Sequence, residues 1–328
     1  MALSYKSYKY VYFMKLQQLR YFLEVSRRNL NISEAAEVLF TSQPGISKQI
    51  KLLEDELGVS LFVRHGKRIV SLTPPGQAVV EIAERIFRDV QNIRNVGTEF
   101  AEQDSGRLTV ATTHTQARYV LPQVVTAFLR RYPKVKLSLI PAAPMAIDQM
   151  VADGRVDLAV NSEVALQDAN LRRITAHPWH RCVLVPRGHA WAEMARPLVR
   201  EDLAGVPLVT YADVADDSAL QQVFAGTGLP WPETALASAD PDIIKTYVRA
   251  GIGVGLLADV AYDAEADADL VCLPAGHMFY PAFTHIVVRQ DTYLRGYAFE
   301  FMQLYLPQLS REQIEQRLYR PISEDFSI

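Results

Sequence analysis

Residues 32–76 read ISEAAEVLFTSQPGISKQIKLLEDELGVSLFVRHGKRIVSLTPPG, and this stretch decides the architecture of the N-terminal part. Asn31 or Ser33 can cap a short helix whose Ala35, Ala36 and Leu39 form a small-residue face, suited to close helix crossing. Thr41-Ser42-Gln43-Pro44-Gly45 reads as a turn into a further helix. Ser42 serves as the cap and Pro44 sits in the first helical turn, where no backbone donor is needed. Ile46, Ile50, Leu53 and Leu57 are expected inward, Ser47, Lys48 and Lys51 on other faces, and Gly58 ends the helix. Upstream, Leu16, Leu19, Phe22, Leu23 and Val25 carry helical spacing. Downstream, residues 61–72 read as two short strands around Gly66, with a basic tip at Arg64 and Lys67.

Two short helices, a tight turn and a third helix with polar side chains near its start match a helix-turn-helix whose last helix enters the major groove, and the hairpin makes a wing. Gln43 can pair bidentately with adenine, Ser47 can bond either class of base edge, and Lys48 and Lys51 suit phosphate or guanine. Arg64 and Lys67 are placed for phosphate, and Thr41, Ser42 and Pro44 complete the expected DNA-contacting set. Charge agrees. Residues 1–76 hold 11 Lys/Arg against 6 Asp/Glu, a balance of +5, while the rest carries 23 against 31, a balance of −8.

Residues 15–76, with S-Q-P-x-I-S-x-x-I-x-x-L-E-x-x-L-G-x-x-L-F nearly uninterrupted, resemble the DNA-binding head of LysR-type transcriptional regulators. KLQQLRY, TSQPGISKQ and LEDELG look most like the CysB/Cbl group of that family, which controls sulfur-assimilation genes.

Pro74-Pro75-Gly76 is expected to close the wing, and residues 77–102 then form a long helical pattern with an apolar stripe of Val79, Ile82, Ile86, Phe87, Val90 and Ile93. A helix this long without a local partner is expected to pack on another chain. The resemblance makes it the dimerisation helix and implies pairing of dimers into a homotetramer. From Arg107, strands alternate with helices in two rounds, closing with a helix from Thr292 to Leu306, which argues α/β units with mainly parallel sheets. Chain crossings are expected near 161–167 and 276–284, and the resemblance implies the two-lobed periplasmic-binding-protein fold. The expected domains are an extension at 1–13 upstream of an expected natural start at Met14, a winged helix-turn-helix at 14–73, a linker helix at 74–102 and a sensor at 106–328. Lobe I spans about 106–163 and 281–306, and lobe II about 164–280.

The segment ATTHTQARY ends a strand and opens a helix, where hydroxyls and free N–H groups either hold an anion or merely cap. By resemblance, Thr113, Thr115 and Gln116 bind sulfate or an acylated serine, and Ser162 stands where the group has threonine. After PLVTY the chain departs from the group. It carries Ala212-Asp213-Val214-Ala215-Asp216-Asp217-Ser218, so Asp216 is expected to supply an acceptor where the relatives supply a hydroxyl.

The remaining signals are exclusions. No apolar run approaches the ~20 residues a spanning helix needs, and residues 1–13 lack a secretory pattern, so a cytoplasmic protein is expected. Cys182 and Cys272 have apolar flanks and read as inert core thiols, and His177 and His180 lack the partners of a metal site. Gly251-x-Gly253-x-Gly255 lies between a helix and a strand, the reverse of a dinucleotide fingerprint, and reads as close packing. No nucleophile–base pair is legible, so neither enzyme activity, cofactor nor metal is expected. The expected partners are promoter DNA, a small anionic effector, further copies of the chain and RNA polymerase, but no membrane. The alternatives are a regulator of another pathway with a different amino-acid-like effector, a solute-binding protein, or an enzyme.

Overall fold

The computed structural model describes residues 14–66, 68–101, 104–211, 218–280 and 282–319. The extension at 1–13, Lys67 and Asp216 lie outside them. The chain divides into two compact units, one ending at Arg94 and the other beginning at Asn95. No helix among the described residues is long and apolar enough to cross a membrane.

The first unit runs α1 (Leu16–Arg27), α2 (Ile32–Val38), α3 (Gln43–Leu57), β1 (Phe62–His65), β2 (Arg68–Leu72) and α4 (Pro74–Ala101), the last continuing past the unit boundary. Its helix ends are set by side chains. Asn31 accepts from the Ser33 and Glu34 N–H groups, Ser42 Oγ accepts from Gly45 N–H, and Gly58 takes φ +68° to stop α3. Phe22, Ile46, Ile50, Leu53 and Leu61 are fully buried in one core with Ala35 and Ala36. Each such large side chain contributes about 1.5–3 kcal/mol of burial. Leu57, expected inward, is instead exposed, because α3 has reached its last residue and run past the core.

Pro74 and Pro75 do not close the wing as a separate turn but open α4. Thr73 Oγ1 accepts from Gly76 N–H and donates to the Ser60 carbonyl, and proline costs nothing where the first helical N–H groups lack partners. A Cβ on Gly76 would stand 2.1 Å from the Leu61 carbonyl oxygen, so only glycine allows this approach. The stripe on α4 divides. Val79, Ile86 and Phe87 pack on the unit's own core around buried Ala83, whereas Ile82, Ile93 and Val96 remain exposed.

The second unit holds two five-stranded mixed sheets with one topology used twice. Lobe I has β3 (Ser105–Thr112), β4 (Lys134–Pro141), β5 (Leu158–Asn161), β6 (Leu171–Trp179) and β12 (Ala282–Arg289), in the order β4-β3-β5-β12-β6. Lobe II has β7 (Arg181–Pro186), β8 (Pro207–Thr210), β9 (Glu233–Ala237), β10 (Val254–Ala258) and β11 (Leu270–Pro274), in the order β11-β7-β10-β8-β9. In each, three parallel strands are joined by an antiparallel strand that arrived from the other lobe.

Helices α5 (Leu121–Arg131), α6 (Pro144–Ala152), α10 (Gly296–Tyr305) and α11 (Arg311–Tyr319) accompany lobe I, and α7 (Arg200–Leu203), α8 (Ser218–Phe224) and α9 (Pro241–Arg249) accompany lobe II. Separate apolar clusters line the two faces of each sheet. A Cβ on Gly253 would meet the Pro207 carbonyl oxygen at 2.4 Å, in keeping with the close-packing reading of that glycine pattern.

Two boundaries differ from expectation. The first crossing falls at 179–181 rather than 161–167, because β6 returns along β12 and extends lobe I before the chain leaves it. The last long helix begins at Gly296, not Thr292, since Arg295 holds extended backbone at its start.

Candidate DNA-reading surface and effector pocket

On α3, Gln43, Ser47 and Lys51 recur every four residues and share a stripe, with Lys48 beside them and Ile46, Ile50 and Leu53 turned into the core. Ser42, Gln43, Pro44, Lys48 and Lys51 are exposed, and Thr41 and Ser47 are half-buried. Gln43 Nε2 donates to Ser33 Oγ, a local contact that the amide must give up or share to reach a base edge. Arg64 lies on the exposed wing but is paired with Glu54 at 2.9 Å. Glu54 also accepts from the Leu61 and Phe62 N–H groups, so the glutamate of the LEDELG segment holds the wing to α3. That role has no sequence signal apart from the motif. Phe40, almost fully exposed with φ +50° at the turn before α3, was likewise not singled out.

In the second unit, a cavity lies where the carboxyl ends of strands from both lobes meet. Thr113, Thr115 and Gln116 line it from the end of β3, Ser162 and Glu163 from the end of β5, and Ala142, Ala143 and Pro144 from the start of α6. Lobe II contributes Tyr211 after β8, Ala239 after β9 and Ala258 at the end of β10. Of the expected effector residues, Thr113, Thr115, Gln116 and Ser162 are therefore brought together, while Asp216 lies outside the described residues.

Capping and pocket lining coexist here. Thr113 Oγ1 accepts from the Gln116 N–H at 3.3 Å, and a π-helical turn (Gln116–Val120) then leads into α5. Thr115 Oγ1 and Tyr211 Oη meet across the lobes at 2.9 Å. Gln116 Oε1 accepts from Tyr305 Oη at 3.2 Å, which leaves the amide N–H₂ as the end able to donate. Burial pushes the Tyr305 hydroxyl up to about 12, so it stays a neutral donor. Among the described residues no Lys or Arg lines the cavity; Glu163 is the acidic residue that does, with Oε1 4.0 Å from Arg181 Nη2.

A buried carboxylate holds the Ser162–Glu163 segment. Asp148 of α6 is fully buried and accepts from Asn161 Nδ2, the Ala165 and Leu166 N–H groups and Arg173. Trp179 Nε1 donates to the Ser162 carbonyl and sets its indole into the wall. Behind the pocket, Asp242 of α9 pairs with Arg118 and accepts from Tyr119 Oη, joining lobe II to the π-helical turn. Lys245 is buried and donates to Tyr119 Oη at 2.8 Å and Asp267 at 2.9 Å. Burial opposes ionisation of Asp242, but bonds from Tyr119 and Lys245 and the Lys245 and Arg118 charges outweigh it and lower its pKa.

Tyr211 and Glu163 were legible in principle, since they stand one and two residues after strands that end at the site. Asp148, Trp179 and the Tyr119–Asp242–Lys245 group carry no local signal.

A capped helix pair with its wing, joined by a long helix to a two-lobed α/β unit with an interlobe cavity, defines a DNA-binding regulator with a small-molecule sensor. Residues 16–77 match the bacterial regulatory helix-turn-helix family of lysR type, and residues 101–310 match the LysR substrate binding domain. The chain belongs to the LysR family of transcriptional regulators, a family of regulators and not of enzymes. It is 43% identical to the HTH-type transcriptional regulator CysB of Burkholderia cenocepacia over 93% of this chain and 97% of that one. It is equally 43% identical to SsuR of the same organism, over 92% and 97%. The crystal structure of the cofactor-binding domain of the Cbl transcriptional regulator is similar with TM-score 0.59 and 34% identity, covering 66% of this chain and 94% of that domain.

Proposed function

We propose that this regulator binds promoter DNA in the cytoplasm and controls genes of sulfur assimilation or of organosulfur and cysteine metabolism. Its effector is a small molecule with an anionic group at one end and N–H or O–H donors at the other, such as an acylated serine. The likeness to CysB over nearly the whole chain supports the pathway, because the CysB/Cbl group controls sulfur-assimilation genes.

The observation that carries the effector reading is that Glu163, whose carboxylate lies 4.0 Å from Arg181, lines the same cavity as Thr113, Thr115, Gln116 and Ser162. The hydroxyls and amide offer donors to an anion. A bare sulfate has no proton to give Glu163, and desolvating that carboxylate beside it costs energy. Asp216 is proposed as a further acceptor. Exposed Ile82 and Ile93 on α4 support dimerisation through that helix, with tetramers following from the family resemblance.

Calorimetry on the full chain with O-acetylserine, N-acetylserine, thiosulfate and sulfate tests the effector. An acetylserine should bind more tightly than sulfate, and Glu163→Gln should narrow that preference. Unchanged relative affinities in Glu163→Gln would remove the carboxylate from recognition.

A further inference from the structure

Cys182 and Cys272, distant in sequence and outside the effector pocket, are neighbours on one face of the lobe II sheet. In the antiparallel pairing of β7 and β11, Cys182 stands opposite Pro274 and Cys272 opposite Leu184. Residues two apart in register share a face, so the two thiols form a diagonal pair. Both pack in the cluster under α9 with Ile244 and Val248. Cys182 is fully buried and Cys272 half-buried, and both border an open cleft of about 870 Å³ whose other walls include His180, Asp259 and His277.

The two sulfurs are not equivalent. A hydrogen bond from the Cys182 thiol lowers the Cys272 pKa, against the opposing effects of burial and the Asp259 charge. The same bond, with burial, pushes Cys182 well up. Cys272, half-buried at the cleft, is the thiol that a small oxidant reaches first, with Cys182 buried beside it. This is the division between an attacking and a resolving thiol.

Their place in the chain adds a mechanical consequence. Cys182 is the second residue of β7, directly after the first crossing from lobe I, and β11 leads through Pro274 into the return crossing. A diagonal pair sets Cα atoms about 7–8 Å apart, just beyond the ~4.4–6.8 Å that a disulfide spans. β11 is an edge strand held only by β7, so it can supply the small slide required.

We propose that Cys182 and Cys272 are a dithiol oxidised by hydrogen peroxide to an intramolecular disulfide that ties together the lobe II ends of the two crossing segments. The Cys272 thiolate attacks the peroxide, the O–O bond breaks, and the sulfur becomes a sulfenic acid as the leaving oxygen takes a proton to become water. Cys182 then loses its proton and attacks that sulfur, forming the S–S bond and releasing a second water. Two thiols are oxidised by two electrons, and one peroxide is reduced to two waters.

The test is hydrogen peroxide treatment of the purified full chain, followed by intact mass, maleimide labelling under denaturing conditions and non-reducing peptide mapping. Both thiols should vanish together, with loss of two hydrogens and a Cys182–Cys272 cross-link that dithiothreitol reverses. Cys182→Ala should trap a dimedone-reactive sulfenic acid on Cys272, and Cys272→Ala should leave Cys182 unreactive, with circular dichroism verifying that each variant is folded. Thiols that still alkylate after peroxide, disulfides formed only between chains, or unchanged Cys182 reactivity in folded Cys272→Ala would each overturn the proposal.

Discussion

Replacing Asp148 by alanine should damage both the stability of the sensor and the shape of its pocket. The carboxylate is fully buried and takes four hydrogen bonds, at 2.8 Å from Asn161, 3.2 and 2.9 Å from the Ala165 and Leu166 N–H groups and 2.9 Å from Arg173. Arg173 keeps only a bond to the Leu166 carbonyl once its anionic partner is gone, and its Nε already has no partner. Breaking one side of a buried ion pair costs about 3–5 kcal/mol, and the two abandoned N–H groups push towards the upper end unless the loop relaxes to water. For a domain of this size, each kcal/mol moves the melting midpoint by about 2–4 °C, so a drop of roughly 6–20 °C is expected.

Asp148→Asn preserves shape and one acceptor oxygen, and should lose roughly half as much. Thermal unfolding followed by tryptophan fluorescence reads the effect, since Trp179 is bonded to the segment that Asp148 holds. Effector binding should weaken in parallel, because Ser162 and Glu163 lose their anchor. A loss below about 1 kcal/mol in Asp148→Ala would show that the four bonds are replaceable, and would refute the assignment of Asp148 as the support of the pocket wall.

At the head, Gln43→Ala should cost about 1–3 kcal/mol at a specific operator and relax base preference there. A band-shift assay showing equal loss on random DNA would instead make Gln43 a phosphate or structural contact. The interlobe group gives a pH dependence. The Asp242 and Asp267 pKa values are lowered because hydrogen bonds and neighbouring cations outweigh burial. Their stabilisation is therefore complete above the unfolded carboxylate value of about 3.9 and is lost as pH falls through the lower folded values. The thermal difference between the natural chain and Lys245→Met should stay constant from about pH 5 to 8 and shrink below about pH 4. A difference unchanged at about pH 3 would mean that Lys245 acts through packing alone.

Sequence by itself determined the features that depend on near neighbours. The helices of the head follow from apolar spacing, from caps at Asn31 and Ser42 whose bonds close within three residues, and from the left-handed backbone of Gly58. The position of Thr113, Thr115 and Gln116 was legible because a strand ending in polar residues at a helix start is a local pattern, and strand ends are where such sheets bind ligands. Only the tertiary structure decided which distant segments meet. β6 has no clean alternation of burial, so its pairing with β12 was not visible, and the first crossing was placed too early. The α4 stripe has one period, yet half of it serves the unit's own core, a division that depends on how the helix leaves the wing. Asp148 reaches Arg173, Tyr119 reaches Lys245 and Cys182 lies beside Cys272 only because the order of strands brings them there. Strand order is set by the total burial of both faces of each sheet, a sum over the whole chain that no local period encodes.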